Sequence, residues 1–224
     1  MPAATLLRPD PSLATRPPAG VRGGVVGPDA ATLERIFDEG IAVAAWRRGP
    51  QPALAATLAA TLPHEERVVR ESLRAAEPDL GRVNAALGCA AGTALEPWLR
   101  ELVDVYAILA DADEVGLRLC VTRGQPCPRF HVDRVGLRLI CTLRGPGTEW
   151  LAHADVDRRR LGLAGATDDA SGLLRPGATV QRLEPCDVGI FKGEAWPGNE
   201  GRGAVHRSPP TDGGWRLLVT LDAL

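Results

Sequence analysis

The chain has 224 residues, the length of one large domain or one domain with an appendage. Apolar residues at 45% and charged residues at 24% exclude wholesale disorder and allow a sizeable core. Gly 25 and Pro 19 make up about 20% of the chain against a usual sum near 12%, which excludes a helix bundle. The net charge of −2 leaves no basic footprint for nucleic acid.

Residues 1–28 carry six prolines and a Gly20/Gly23/Gly24 cluster, and predict a flexible or surface-hugging arm. Asp29 is placed to cap a short helix through Leu33, Ile36 and Phe37, stopped by Gly40, and 41–46 reads as a strand. Residues 51–76 are rich in Ala, Leu and Arg and predict helix interrupted at Pro63. The clearest helix covers 93–110, where Leu95, Trp98, Leu99, Leu102, Val103, Tyr106 and Leu109 form one apolar stripe.

After Asp113 the period changes to two. Segments 115–122, 129–133, 137–143, 148–151, 179–183, 188–192, 204–207 and 215–221 predict eight short strands between Gly/Pro/Asp turns. Helices first and strands afterwards predict an α+β domain: a helical portion over 29–112 packed on a jelly-roll or cupin-like barrel over 113–224. The two portions together are expected to form one compact domain. No apolar run reaches the roughly 18 residues of a membrane span, and no signal-peptide stretch opens the chain. Cys89, Cys120, Cys127, Cys141 and Cys186 are odd in number and form no C-x-x-C pair. Reduced thiols in a soluble, cytoplasmic protein without membrane partners follow.

Four histidines stand in the sequence, and three have a carboxylate two places later: His64/Glu66, His131/Asp133 and His153/Asp155. With 28 acidic residues in 224, each coincidence has a chance of one in eight, so context must choose. His64 and Glu66 fall in the expected helix, where positions i and i+2 face apart. His153 and Asp155 open the polar stretch 155–160 and read as surface, with a lesser reading as the ligand pair. His131 and Asp133 lie on one face of a strand, the geometry for two ligands of one ion. A hairpin return from 204–207 to 215–221 brings Arg216 alongside His206. Two histidines and one carboxylate with open positions beyond make the facial triad of non-haem Fe(II) oxygenases. An arginine one strand away suits the carboxylate of a cosubstrate. Cys127, four residues before His131, offers a rival set, a closed Cys/His/Asp/His zinc site. The segment 193–203, with Glu194, Trp196 and Asn199, predicts a substrate lid as an alternative to a plain surface loop. Lys192 at its root is placed to pair with Glu194 or with a substrate anion.

The order His131-x-Asp133, strand 137–143, Gly145-Pro146-Gly147-Thr148-Glu149, strand 188–192, His206 and Arg216 resembles the double-stranded β-helix of the 2-oxoglutarate/Fe(II) dioxygenases, nearest its prolyl-hydroxylase-like branch. The resemblance covers roughly 115–222 and implies iron held by His131, Asp133 and His206, with Arg216 on the 2-oxoglutarate C5 carboxylate. That branch often adds a tyrosine hydroxyl to the cosubstrate site, whereas Tyr106, the only tyrosine here, falls in the expected helix. Thr142, Thr148 and Thr220 are the available substitutes, and Thr148 is the candidate beside Arg216. Cys127-Pro128-Arg129-Phe130-His131-Val132-Asp133, 145–151 and 192–203 also resemble the bacterial domain-of-unknown-function family 1826. Members of that family occur near zinc-homeostasis functions, which implies a metal connection. The leading expectation is an Fe(II)- and 2-oxoglutarate-dependent oxygenase of unspecified substrate. Its alternatives are a non-enzymatic zinc-binding protein of metal homeostasis and a cupin-like metalloenzyme independent of Arg216.

Overall fold

The computed structural model describes residues 23–62, 65–90, 92–162, 168 and 170–224. In chain order the elements are β1 (Gly24–Gly27), β2 (Val43–Trp46), α1 (Pro52–Thr61), β3 (Arg67–Arg74), α2 (Gly81–Ala86) and α3 (Leu95–Ala110). They continue as β4 (Glu114–Thr122), β5 (Leu137–Arg144), β6 (Glu149–Leu151), β7 (Val180–Arg182), β8 (Val188–Lys192), β9 (Val205–Arg207) and β10 (Arg216–Ala223). Three short 3-10 turns, at Ala30–Phe37, His153–Asp155 and Arg158–Arg160, complete the list.

Seven strands form one sheet in the order β1-β2-β8-β5-β10-β4-β3, and three form a second in the order β7-β6-β9. Period two decides what each face of the large sheet meets. Leu137, Leu139, Cys141 and Leu143 of β5 share one apolar cluster with Leu217, Val219 and Leu221 of β10. The same cluster takes in Leu95, Trp98, Leu99, Leu102, Val103 and Tyr106, the buried stripe of α3. The helix ends at Asp111, which adopts a left-handed conformation with φ 50°. Tyr106 donates its hydroxyl to the Leu137 carbonyl at 2.8 Å, which satisfies that buried polar group. Burial pushes its pKa up to about 12, so the phenol stays neutral and acts as core.

The opposite face of the large sheet meets the small one. Val43, Ala45, Ile140 and Phe191 join Trp150 of β6 and Ala204 in a second cluster. A side chain at Gly24 would collide with the Trp150 ring, so β1 docks there as bare backbone. Among the described residues, no helix is long and apolar enough to cross a membrane.

Several expectations are corrected. Helix over 51–76 is limited to α1, and 67–74 forms β3, an antiparallel edge strand beside β4. Pro63 accounts for the stop, because the residue before a proline disfavours the helical region. The charged alternation Arg67-Val68-Val69-Arg70-Glu71 suits an edge, where charges block pairing with other chains. The division at 113 does not separate helices from strands, since β1, β2 and β3 precede it and join the large sheet. β1 also lies within the expected arm, whose residues 1–22 fall outside the described ones.

Two differences concern the site. Instead of a strand over 129–133 there is a single bridge, His131 to His206. The expected hairpin does not form either: β9 pairs with β6, whereas β10 lies between β5 and β4 in the other sheet. Pro209-Pro210 lacks the two N–H groups a ladder there would need, so the chain crosses between sheets instead.

Leu139 is fully buried in the larger cluster and Ile108 is 80% exposed. Leu139→Ala is expected to cost about 2–5 kcal/mol in a urea unfolding titration, and Ile108→Ala to stay within about 0.5 kcal/mol.

Candidate metal centre

His131 and His206 are joined by two backbone hydrogen bonds, each N–H donating to the other residue's carbonyl at 3.0 Å. This bridge sets their rings 4.5 Å apart, centroid to centroid, and Phe191 packs on His206 at 5.1 Å. Each Nδ1 is tied to a carbonyl two residues back, His131 to Arg129 at 2.9 Å and His206 to Ala204 at 3.0 Å. With Nδ1–H as donor, each Nε2 is left with its lone pair facing inward, the tautomer a metal ligand needs.

Both inward atoms face Asp133. His206 Nε2 lies 3.2 Å from Asp133 Oδ2, and His131 Nε2 lies 3.7 Å from Oδ1. All three ligand atoms fall within 4.8 Å of one another. An ion about 2.1 Å from each donor calls for donor separations near 3 Å, so small side-chain shifts would complete a site. Two imidazole lone pairs pointed at a carboxylate repel it unless a proton or a cation stands between them. The set therefore fits a divalent ion by its chemistry as well as by its spacing.

Asp133 is held from behind. Arg138 on β5 donates Nη1 to Asp133 Oδ2 at 2.7 Å, and its Nε and Nη2 clamp both oxygens of Asp222 on β10 at 2.7 Å. Burial alone would favour the protonated acid. When a proton rather than an ion stands between His206 and the acid, the hydrogen bond and charge of His206, followed by the charge of Arg138, outweigh it and keep the Asp133 carboxyl well below the usual range. Burial and the neighbouring His206 lower the pKa of His131, which leaves its Nε2 free to ligate at neutral pH. Gly193 packs directly on the Asp133–Gly136 backbone, where a Cβ would strike the Val135 carbonyl, and Glu194 N donates to the Asp133 carbonyl at 2.9 Å.

Arg216, the first residue of β10, is 1% exposed. Its Nε donates to the Pro146 carbonyl at 2.9 Å, and its Nη2 to Thr142 Oγ1 at 3.1 Å and Thr148 Oγ1 at 3.2 Å. Nη1 is buried with no partner, and no carboxylate pairs with the guanidinium among the described residues. Burial lowers its pKa to about 10. Two of the three candidate threonines, Thr142 and Thr148, thus meet Arg216. Thr220 is buried on the same strand without bonding to it.

The remaining candidates lie elsewhere. Cys127 is exposed and outside the group of three ligands. His153 sits in a 3-10 turn with its Nδ1 against Arg158 Nη2 at 2.7 Å; burial and the charges of Arg158 and Arg202 lower its pKa to about 4. Asp155 Oδ2 accepts from Thr179 N at 3.3 Å, so these two do not converge on an ion. His64 is outside the described residues, and Glu66 accepts from Thr122 Oγ1 and Arg123 N. In the expected lid, Glu194 accepts from Gly201 N and Asn199 donates to the Gly193 carbonyl, whereas Lys192 sets its Nζ over the Trp196 ring at 5.7 Å. Sequence reasoning missed Arg138 and Asp222. Their signal was a charge on the barrel-facing register of two apolar strands, Arg138 opposite Asp222.

A dioxygenase for auxin oxidation from Arabidopsis thaliana, solved in its binary complex with 2-oxoglutarate, superposes with a TM-score of 0.51 at 12% identity, covering 90% of this chain and 92% of that one. The rice dioxygenase for auxin oxidation matches at 0.47 and 14% identity (90% and 82% covered), and a Pseudomonas putida prolyl-4-hydroxylase at 0.40 and 12% (86% and 96%). The first likeness shows a shared fold, the dioxygenase-type double-stranded β-helix. Within it, the chain belongs to the family described as Protein of unknown function (DUF1826), whose model matches residues 27–222. No curated protein sequence matches it.

His131→Ala, Asp133→Ala and His206→Ala are each expected to lower affinity for a divalent ion by at least about tenfold, while Cys127→Ser leaves it unchanged, as measured by competition with a chromophoric chelator. Arg138→Met removes a cation that depresses the Asp133 pKa, so protons compete better there. The metal should then be lost at a higher pH on acid titration than in the wild type.

Proposed function

We propose that the protein is an Fe(II)- and 2-oxoglutarate-dependent oxygenase. The observation that carries this reading is Arg216, a guanidinium buried without a carboxylate, with one N–H group unsatisfied. A charge so placed is costly unless a partner arrives, and a carboxylate oxygen reaching Nη1 would offset that cost. The two threonine hydroxyls hold Nη2 and leave Nη1 to the ligand, so the cosubstrate's distal carboxylate would bind there.

His131, Asp133 and His206 would hold the iron. The ion, when bound, supplies the oxygen activation that is coupled to oxidation of the cosubstrate. The chain's own residues do the rest. Arg138 keeps Asp133 ionised and oriented, and the Nδ1 bonds to Arg129 and Ala204 fix both imidazoles. Phe191, packed on His206, lines the space beside the ligands with apolar surface, which would strengthen electrostatic interactions inside. The zinc reading of a closed four-ligand site needs Cys127, which is exposed and apart from the other three. Three ligands with open positions favour the oxygenase.

Titration of the iron-loaded protein with 2-oxoglutarate under nitrogen should give saturable binding, and in air the protein should release carbon dioxide from it. Arg216→Gln is expected to weaken the binding by at least about tenfold while leaving iron content intact. Wild-type protein that holds iron yet neither binds nor decarboxylates 2-oxoglutarate would sink this proposal.

A further inference from the structure

Lys192 is the only lysine in the sequence, and its side chain leaves β8 on the side away from the barrel-facing Phe191. It is 7% exposed, yet among the described residues no carboxylate lies within ion-pair distance of Nζ. Its Nζ lies over the face of Trp196 at 5.7 Å, and Trp196 in turn leans on Phe37 at 5.8 Å. Buried ammonium groups are rare without a counter-ion.

The surroundings supply space where that counter-ion would be. A cavity of about 140 Å³ lies between the 37–41 turn and the 193–203 loop, lined by Lys192, Arg202, His153, Asn199 and Trp196. An engineered cavity of about 150 Å³ accommodates benzene, so this one has room for roughly six heavy atoms. Arg202 also lacks an ion-pair partner among the described residues. Of the acids on the wall, Asp38 is engaged by Arg35 Nε at 2.9 Å and Glu39 is exposed. Glu194, the sequence neighbour best placed to neutralise Lys192, is turned away to Gly201 N. Burial and then the charge of Arg202 lower the pKa of Lys192 against a smaller opposing pull from Asp38, and burial, Arg158 and Arg202 lower that of His153.

We propose that this cavity is a binding site for a small oxyanion, a carboxylate or phosphate of about six heavy atoms, held by Lys192 and Arg202 beside the Trp196 ring. Its lining does not include Arg216, and it does not depend on the oxygenase reading. The site sits at both ends of the loop that leads to the metal ligands. Lys192 follows Phe191, which packs on His206, and Ala204 N donates to the Lys192 carbonyl at 2.8 Å.

The test is isothermal titration of the full chain with inorganic phosphate and, separately, with malonate, which tells a phosphate-type from a carboxylate-type ligand. Saturable binding of at least one anion is expected, weakened by about tenfold or more in Lys192→Met and in Arg202→Gln. His131→Ala and Arg216→Gln should leave it unchanged. Arg202 is exposed, so its variant keeps the test decisive if Lys192→Met fails to fold. Absence of saturable binding for both anions, binding indifferent to the folded variants, or loss in Arg216→Gln instead, would each overturn the proposal.

Discussion

The site depends on one pair of backbone hydrogen bonds, those that join His131 to His206. A ligand set drawn from distant parts of a chain needs its Cα positions fixed before side-chain chemistry matters. Here the fixing is done by an antiparallel bridge one residue long, which extends the β7-β6-β9 sheet by a single position. Trp150 anchors the other side of His206 through the β6–β9 register, and its ring fills the space between the sheets. The bridge is short because nothing more is needed: Asp133, two residues on, must leave the strand to turn toward both rings.

Two guanidiniums, Arg138 half-buried and Arg216 buried, then divide the electrostatic work. Arg138 is matched by two carboxylates and is a finished structure; it joins β5, β10 and the metal-site loop in one network. Arg216 is matched by neutral oxygens only and is unfinished. The contrast separates a charge balanced within the protein from one that is not, although both sit on neighbouring strands of one sheet.

How far the sequence foretold this differs by element. The stripe of α3 was legible because its seven residues repeat at helical spacing; six of them are buried, and Leu109, nearest the helix end, is half-buried. His131, Asp133, His206 and Arg216 were legible as residue types at characteristic intervals, and the first three do converge on one point. β3 was missed because its charged, edge-strand alternation follows directly on a genuine helix rich in Ala and Leu. The β9–β10 hairpin was expected from adjacency alone, and adjacency says nothing about which sheet a strand enters after two prolines. Arg138 and Asp222 escaped notice because a cross-strand ion pair is a property of register, and register appears only once β5 and β10 are set side by side.

The isolation of Lys192 has a consequence for chemistry done on the protein from outside. The sequence holds a single side-chain amine, and Trp196 with the 193–203 loop covers it. Among side chains, lysine-directed acylating reagents therefore have one target, which they must reach past Trp196. The rate of modification at Lys192 reads how accessible that one amine is, without any label having to be added.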